Sequence, residues 1–406
     1  MGVGSGSLES LRELNRLRVV DALRRHGTLS RAEIARVTGL SRSTISTLVA
    51  DLQERGFVIE REEPAHDVPR VAQQGRPPVL LRLDPSAGIA VGVDFDHTHV
   101  RTAISDLSRT VVAENSVEAD VDNDAMRALD IAADLVHAGI EQAGVDGDRV
   151  LGVGVALAGP VDQPEGKLHA SSILPGWQVI DAGAELEARL GVPVHIDNDA
   201  NLGALAEVTL GAGRSARSAL YVQMSSGIGA GLIIDGRPYR GASGVAGEIG
   251  HVTVDESGPI CRCGNRGCLE TLASGPAIAR LLSESRGEPL SPEQIVVLAK
   301  AGDLGCRRAI ADGARVVGRV VGNICNLLNP EMVVVGGDLS AAGELLLGPL
   351  REALMRAALP AITRDLDVVA GELGDRANVL GALALAIAQS EQAVAARIAA
   401  AGEVGR

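Results

Sequence analysis

Within the stretch GEIGHVTVDESGPICRCGNRGCLE, His251 is followed by Cys261, Cys263 and Cys268, three cysteines crowded into eight residues. Three thiolates and one imidazole complete a tetrahedral shell for zinc, and with all four positions filled none is left for a reacting water. The metal is therefore expected to be structural, folding a loop that has no regular structure of its own. The other two cysteines, Cys306 and Cys325, lie in helical stretches and read as core. A second chemical stretch is GVDFDHTH, residues 92 to 99. An apolar strand carries Asp94 into a turn, as at the start of a phosphate-binding loop. Asp96 and His97 then stand where glycines would let backbone N–H groups approach a phosphate. A third is the polar edge Arg42, Ser43, Thr44 and Thr47. Small residues let a helix approach a DNA major groove closely, while Arg reads guanine or clamps phosphate. Arg76, held extended between Gly75 and Pro77, suits a narrow minor groove and equally a solvent-exposed linker.

The elements that must position these residues follow from periodicity and punctuation. LRELNRLRVVDALRRHG spaces Leu11, Leu14, Val20 and Leu23 as a first amphipathic helix that stops at Gly27. Ser30 and Glu33 form a capping box for a short second helix ended by Gly39. Ser41 caps a third, whose inward stripe is Ile45, Leu48, Val49 and Leu52, leaving the polar edge outside. FVIERE and PPVLLRL then supply the strands of a wing, separated by a polar, proline-punctuated loop. From Asp84 onward short buried strands alternate with Ala-rich helices. IAVGVDF, VRTAISDL and VVAENSVE form a strand–turn–strand meander, and ALYVQMSSGIGAGLIIDGRPY repeats that opening, which implies two α/β lobes with a ligand cleft between them.

Composition fits this division. Hydrophobic residues are 46% of 406 and aromatics 1%, so the cores are built from Ala, Val, Leu and Ile. Residues 1–83 hold 13 Arg against 10 acids, a balance of +3, which leaves −17 of the total −14 for the remainder. A basic head on an acidic body points to contact with a polyanion through the head alone. No apolar run reaches the length of a membrane span, and MGVGSGS lacks the apolar core of a signal peptide, so a cytoplasmic protein with no membrane contact is expected.

Taken together these residues resemble the ROK family, bacterial sugar kinases and transcriptional repressors of one fold, over nearly the whole chain. The specific part is Glu248-x-x-His251 followed by Cys261-x-Cys263-Gly264-x-x-Gly267-Cys268-x-Glu270. The resemblance implies an N-terminal winged helix-turn-helix domain followed by a two-lobed α/β actin-like domain of the hexokinase type, with an RNase H-like core. On that plan residues 1–83 are the DNA-binding domain with its linker. Residues 84–200 form lobe one, joined by the C-terminal helix 379–406, and 201–378 form lobe two with the zinc loop. Asn198 and Asp199 resemble the pair that holds ring hydroxyls, Glu248, His251 and Glu270 resemble further hydroxyl contacts, and Gly159 the turn beneath the sugar. In the kinases the residue matching Asp199 is a general base, and the segment matching residues 94–99 resembles D-x-G-G-T-K. Asp94 and Thr98 survive here, while Asp96, His97 and His99 replace both glycines and the lysine, so the nucleotide half of the site is expected to be lost. The glycines of Ser226–Gly231 and the Gly336-Gly337 turn still look kinase-like, and they equally permit tight turns.

The implied function is a sugar-responsive regulator, a repressor of carbohydrate metabolism genes rather than an enzyme. Its implied partners are operator DNA, a sugar effector, a second copy in a dimer or dimer of dimers, and in some family repressors a regulatory protein. The alternative is an ATP-dependent hexose kinase that carries a DNA-binding head.

Overall fold

The structure, a computed structural model, describes residues 8–61, 79–162, 174–390, 393–395 and 398. The head consists of α1 (Leu8–His26), α2 (Arg31–Thr38) and α3 (Arg42–Glu54), with a small sheet of β1 (Leu29–Ser30), β2 (Val58–Glu60) and β3 (Leu80–Leu83) in the order β1-β3-β2. The expected capping box is present: Ser30 Oγ accepts from Glu33 N, and Ser30 N donates to the Glu33 carboxylate at 2.8 Å. Gly39 closes α2 at φ +72°, where a side chain would be strained. Ser41 caps α3 by accepting from Thr44 N, and Ile45, Leu48, Val49 and Leu52 are all buried. In α1 the inward stripe is confined to the second half. Val19, Val20 and Leu23 are buried, whereas Leu11 and Leu14 are 54% and 47% exposed, so helical spacing alone overstated the stripe. The wing strands pair antiparallel, and β3 also pairs with β1, a strand too short to show a period. Arg76 and the wing tip lie outside the described residues.

The body holds two five-stranded sheets of the same design. The first, in the order β6-β5-β4-β7-β8, uses β4 (Ile89–Phe95), β5 (His99–Asp106), β6 (Val111–Glu118), β7 (Val150–Leu157) and β8 (Val194–Asn198). The second, β11-β10-β9-β12-β13, uses β9 (Ala219–Met224), β10 (Ile228–Ile234), β11 (Arg237–Tyr239), β12 (Met332–Gly336) and β13 (Asp367–Ala370). In each, three strands run antiparallel and two more continue in parallel, so the duplicated strand–turn–strand opening is a duplicated lobe. Helices α4 (Ala125–Ala143) and α5 (Ala182–Leu190) cover the first sheet. Helix α6 (Asp199–Thr209) leaves the end of β8. The second lobe adds α7 (Glu270–Ala273), α8 (Gly275–Arg286), α9 (Pro292–Ala301), α10 (Leu304–Leu328), α11 (Glu344–Ala357) and α12 (Pro360–Thr363). Cys306 and Cys325 are buried in α10, as expected of core thiols.

The last helix, α13 (Ala377–Gln389), is apolar and mostly buried, the pattern of a helix enclosed on several sides. It packs on α6, β4 and β7 at backbone distance: a side chain on Gly92 would collide with the Val379 carbonyl, one on Gly154 with that of Ala382, and one on Gly381 with that of Leu202. Beyond it, Val394 and Ile398 sit in the core of the head beside Val19, Leu23, Leu52 and Phe57, with Leu107 and Leu151 of the first lobe. Arg55, at the end of α3, donates to the Ile398 carbonyl and pairs with Asp51, which also pairs with Arg16 of α1 at 2.6 Å.

Candidate functional site

Strand β8 delivers Asn198 and α6 begins at once with Asp199, so both side chains are fixed by a strand–helix junction. Asn198, rather than Asp199, caps the helix: its Oδ1 accepts from Asn201 N at 3.1 Å. Its Nδ2 donates to the Gly159 carbonyl at 3.0 Å and to Asp199 Oδ1 at 2.9 Å. Gly159 itself is at φ +108°, a turn that only glycine makes without strain. Asp199 Oδ1 also accepts from Ala200 N at 2.9 Å, and Oδ2 accepts from Gln223 Nε2 at 2.7 Å across the cleft floor. Burial pushes the Asp199 carboxyl up to about 6, against the opposing pull of the Ala200 N–H, His97 and Gln223.

The cysteine loop folds as a set of turns with two isolated bridges, Thr253 with Cys268 and Ile260 with Arg266. Gly267, at φ +62°, lies so close to the Asp255 carbonyl that no side chain fits. These turns bring His251, Cys261, Cys263 and Cys268 together, with one ligand atom from each lying within 4.8 Å of all the others. His251 Nδ1 is 3.6 Å from Cys261 Sγ, and Cys263 Sγ is 3.7 Å from Cys268 Sγ. Tetrahedral zinc, with bonds of about 2.3 Å to sulfur and about 2.0–2.1 Å to nitrogen, separates its ligand atoms by about 3.6–3.8 Å, so the donor set fits the ion. Burial, then the neighbouring thiols, pushes Cys268 up to about 12, a penalty that a bound dication would reverse. The other face of the His251 ring meets the cleft, with Nε2 3.7 Å from Glu248 Oε2. Glu248 is pushed up to about 7 by burial, then by the charges of Asp199 and Glu270. Glu270, at the start of α7, accepts from Arg262 Nε at 3.0 Å and from Ile228 N at 3.4 Å.

Gly159, Asn198, Asp199, Glu248, His251 and Glu270 all line one cleft that opens to solvent. Among the other residues lining the cleft are three long polar side chains that sequence reasoning did not assign to a ligand: His97, Gln223 and Arg262. His97 was visible only as a misfit in a glycine turn. Its Nδ1 lies 2.6 Å from Asp122 Oδ1, and although burial pulls its pKa down, the Asp122 hydrogen bond and charge raise it overall. Arg262 carried a signal in its position between two of the cysteines. Gln223 carried another, as the lone amide in the otherwise apolar strand ALYVQM.

Asp94, the penultimate residue of β4, is almost fully buried, and its Oδ1 has no hydrogen-bond partner among the described residues. Burial, then the charges of Asp96 and Asp199, holds its carboxyl well above the ordinary range. Asp96 folds its own turn by accepting from Thr98 N at 3.2 Å and Thr98 Oγ1 at 3.3 Å. Asp338, after the Gly336-Gly337 turn, bonds to Ser225 and is raised by burial. Glycines 229 and 231 lie within β10 with their Cα atoms against Ala200 of α6, so they serve helix–strand packing. On the head, Arg42, Ser43 and Thr47 are exposed and Thr44 is half-buried, with its Oγ1 2.8 Å from Ser41 Oγ.

The chain matches the model of the ROK family over residues 90–389 and that of the MarR family over residues 13–67. The xylose repressor of Caldicellulosiruptor bescii is 31% identical over 395 residues, covering 94% of this chain and 97% of that protein. The glucokinase of Thermotoga maritima is 36% identical over 254 residues, 59% of this chain and 80% of the enzyme. Among solved structures, a ROK family transcriptional regulator described as a homologue of the Escherichia coli Mlc protein aligns with a TM-score of 0.77 at 25% identity, covering 96% of this chain and 99% of its own. The fold is thus an N-terminal winged helix joined to a two-lobed, actin-like α/β body.

Proposed function

The chain belongs to the ROK family, and on that premise we propose that it is a sugar-responsive, DNA-binding repressor of carbohydrate metabolism genes. The observation that carries the reading is the union, in one chain, of a winged helix with an outward polar edge and a cleft lined by Gly159 and the polar side chains of Asn198, Asp199, Glu248, His251 and Glu270. Similarity to the xylose repressor runs through both parts, whereas similarity to the glucokinase covers 59% of the chain.

In this reading α3 enters the major groove, with Arg42, Ser43, Thr44 and Thr47 at its leading end, and Arg76 serves the minor groove or the linker. A dimer, alone or paired with another, spans two half-sites. Both Asn198 amide hydrogens are committed to Gly159 and Asp199, so this residue meets a sugar hydroxyl as an acceptor. Asp199, Glu248 and Glu270 add further acceptors, and Glu248, whose carboxyl burial pushes up to about 7, donates in its protonated form. His251, Cys261, Cys263 and Cys268 would hold zinc, whose chemistry there is structural: it folds the loop that presents His251 and Glu270 to the sugar.

The cleft reaches the head through α6 and α13. Asp199 starts α6; the α6 and α13 backbones touch at Gly381; Val394 and Ile398 follow α13 into the head core. At the other end of α6, the buried Glu207 carboxylate accepts from Ala212 N, Glu372 N and Leu373 N, tying α6 to the segment that leads into α13. A sugar that binds one lobe geometry more tightly therefore biases the placement of α3, which is all that ligand-driven release requires.

The kinase alternative rests on the retained Asp94, Thr98 and Asp199. Against it, the charges of Asp96 and Asp338 act on the buried Asp94 carboxyl in the direction of repulsion, and His97, in the turn where a kinase-type loop has glycine, lines the cleft. Two titrations of the full chain test the reading. Fluorescence anisotropy with a duplex selected from a random library should show tight binding that D-xylose or D-glucose reverses. Arg42→Ala should weaken that binding by roughly tenfold and lower the salt slope by about one. Calorimetry with Mg-ATP, with and without sugar, should show no binding tighter than about millimolar; tighter binding would restore the kinase.

A further inference from the structure

Strand β9 is buried along its whole length, and its residues alternate between two faces. Leu220, Val222 and Met224 enter the main core of the second lobe, while Tyr221 and Gln223 share the face turned toward α6, where Tyr221 packs on Gly203. An apolar residue of similar length would fill the Gln223 position without burying an amide. Part of the reason for the amide is Asp199, whose Oδ2 accepts from Gln223 Nε2. A carboxylate only accepts, so this bond fixes which way the amide points and turns Oε1 to its other side. Gln223 is 8% exposed, lines the cleft with Asn198 and Glu248, and its buried Oε1 has no hydrogen-bond partner among the described residues. Buried acceptors are almost always satisfied, so an orphan on a cleft wall marks the place where a ligand donor belongs.

We propose that Gln223 is a further ligand contact, its Oε1 accepting from one sugar hydroxyl while its Nε2 holds Asp199 to receive a neighbouring one. This rests on the sugar-binding reading given above and deepens it. Gln223 then sets specificity: a sugar with a hydrogen in place of that hydroxyl leaves the acceptor buried and unmet. Because Asp199 belongs to the first lobe's junction and Gln223 to the second lobe's sheet, one ligand edge is read by both lobes at once. Sites built to bond a hydroxyl reject analogues that lack it far more strongly than apolar pockets reject a change of size.

The test is calorimetry on the full-length zinc-loaded protein with D-xylose, D-glucose and the monodeoxy analogues of each, comparing wild type with Gln223→Leu. In the wild type one deoxy analogue should bind at least tenfold more weakly than its parent sugar. In Gln223→Leu the parent should fall at least to that weakened affinity and the difference between the two should vanish, while analogues altered away from this hydroxyl and the neighbouring one that Asp199 receives keep their own ratios to the parent. Uniform weakening toward all sugars would mean that Gln223 only supports Asp199, and unchanged binding would mean that it does neither; each overturns the proposal. A wild type that binds no sugar of the panel retires the sugar reading itself, and this contact with it. Should Gln223→Leu not fold, Gln223→Asn withdraws the acceptor while keeping an amide, and the same ratio decides.

Discussion

Replacing Ile398 by Ala removes three carbons from a side chain that is 1% exposed and packed in the head core, far from the head in sequence. The carbonyl that receives Arg55 belongs to the backbone, so the substitution leaves that bond and isolates the packing. Truncations of this kind cost about 2–5 kcal/mol, depending on how far the site relaxes. Even the low end, about 2 kcal/mol, corresponds to roughly thirtyfold in the opening equilibrium of the head. Hydrogen exchange followed by mass spectrometry reads this directly: amides of α1 and α3 should exchange at least roughly thirtyfold faster, and operator affinity should fall with them. The single tryptophan, Trp177, is buried in the first lobe against Phe95 at a centroid distance of 5.1 Å, so fluorescence melting reports the body and should be unchanged. Head amides within threefold of wild type, or a body that melts earlier with the head unaffected, would refute the docking of Ile398 in the head.

Two further outcomes test the cleft. Removing zinc by chelation, or by Cys268→Ser, should weaken sugar binding about 10–100-fold, because the loop carries both His251 and Glu270; sugar-free operator affinity should stay within about threefold of wild type. Asp199 has a raised carboxyl, about 6 folded against 3.8 as the ordinary value, so the folded state binds its proton more tightly than the unfolded state. Its stabilising contribution is complete below about pH 4 and is lost as pH rises through about 6, a total of about 2–3 kcal/mol. Denaturant titrations at several pH values should show that fall in wild type, reduced by this amount in Asp199→Asn; identical pH profiles would refute the assignment.

Features set by neighbours within about ten residues of one another were legible in the sequence. The Ser30–Glu33 box, the α3 stripe and the cysteine spacing are local, and each stands where expected. The doubled lobe was legible because the strand–turn–strand opening occurs twice. What escaped depends on tertiary placement. The bond from Gln223 to Asp199 joins a strand to a helix start 24 residues earlier in the chain, a pairing that no local spacing announces. The exposure of Leu11 and Leu14 depends on what α1 lies against, which its own period does not contain. Gly92, Gly154 and Gly381 look like three unrelated glycines until α13 is seated between the first sheet and α6.

The seating of Val394 and Ile398 in the head also bears on how the protein is made. Val19, Leu52 and Phe57 leave the ribosome early, but their core is completed only about 340 residues later. At roughly 5–20 residues per second that interval is tens of seconds, during which the winged helix lacks two of its buried side chains. A nascent or prematurely terminated chain therefore carries an unfinished DNA-reading surface. Competence to occupy an operator arrives last, together with the body that is to control it.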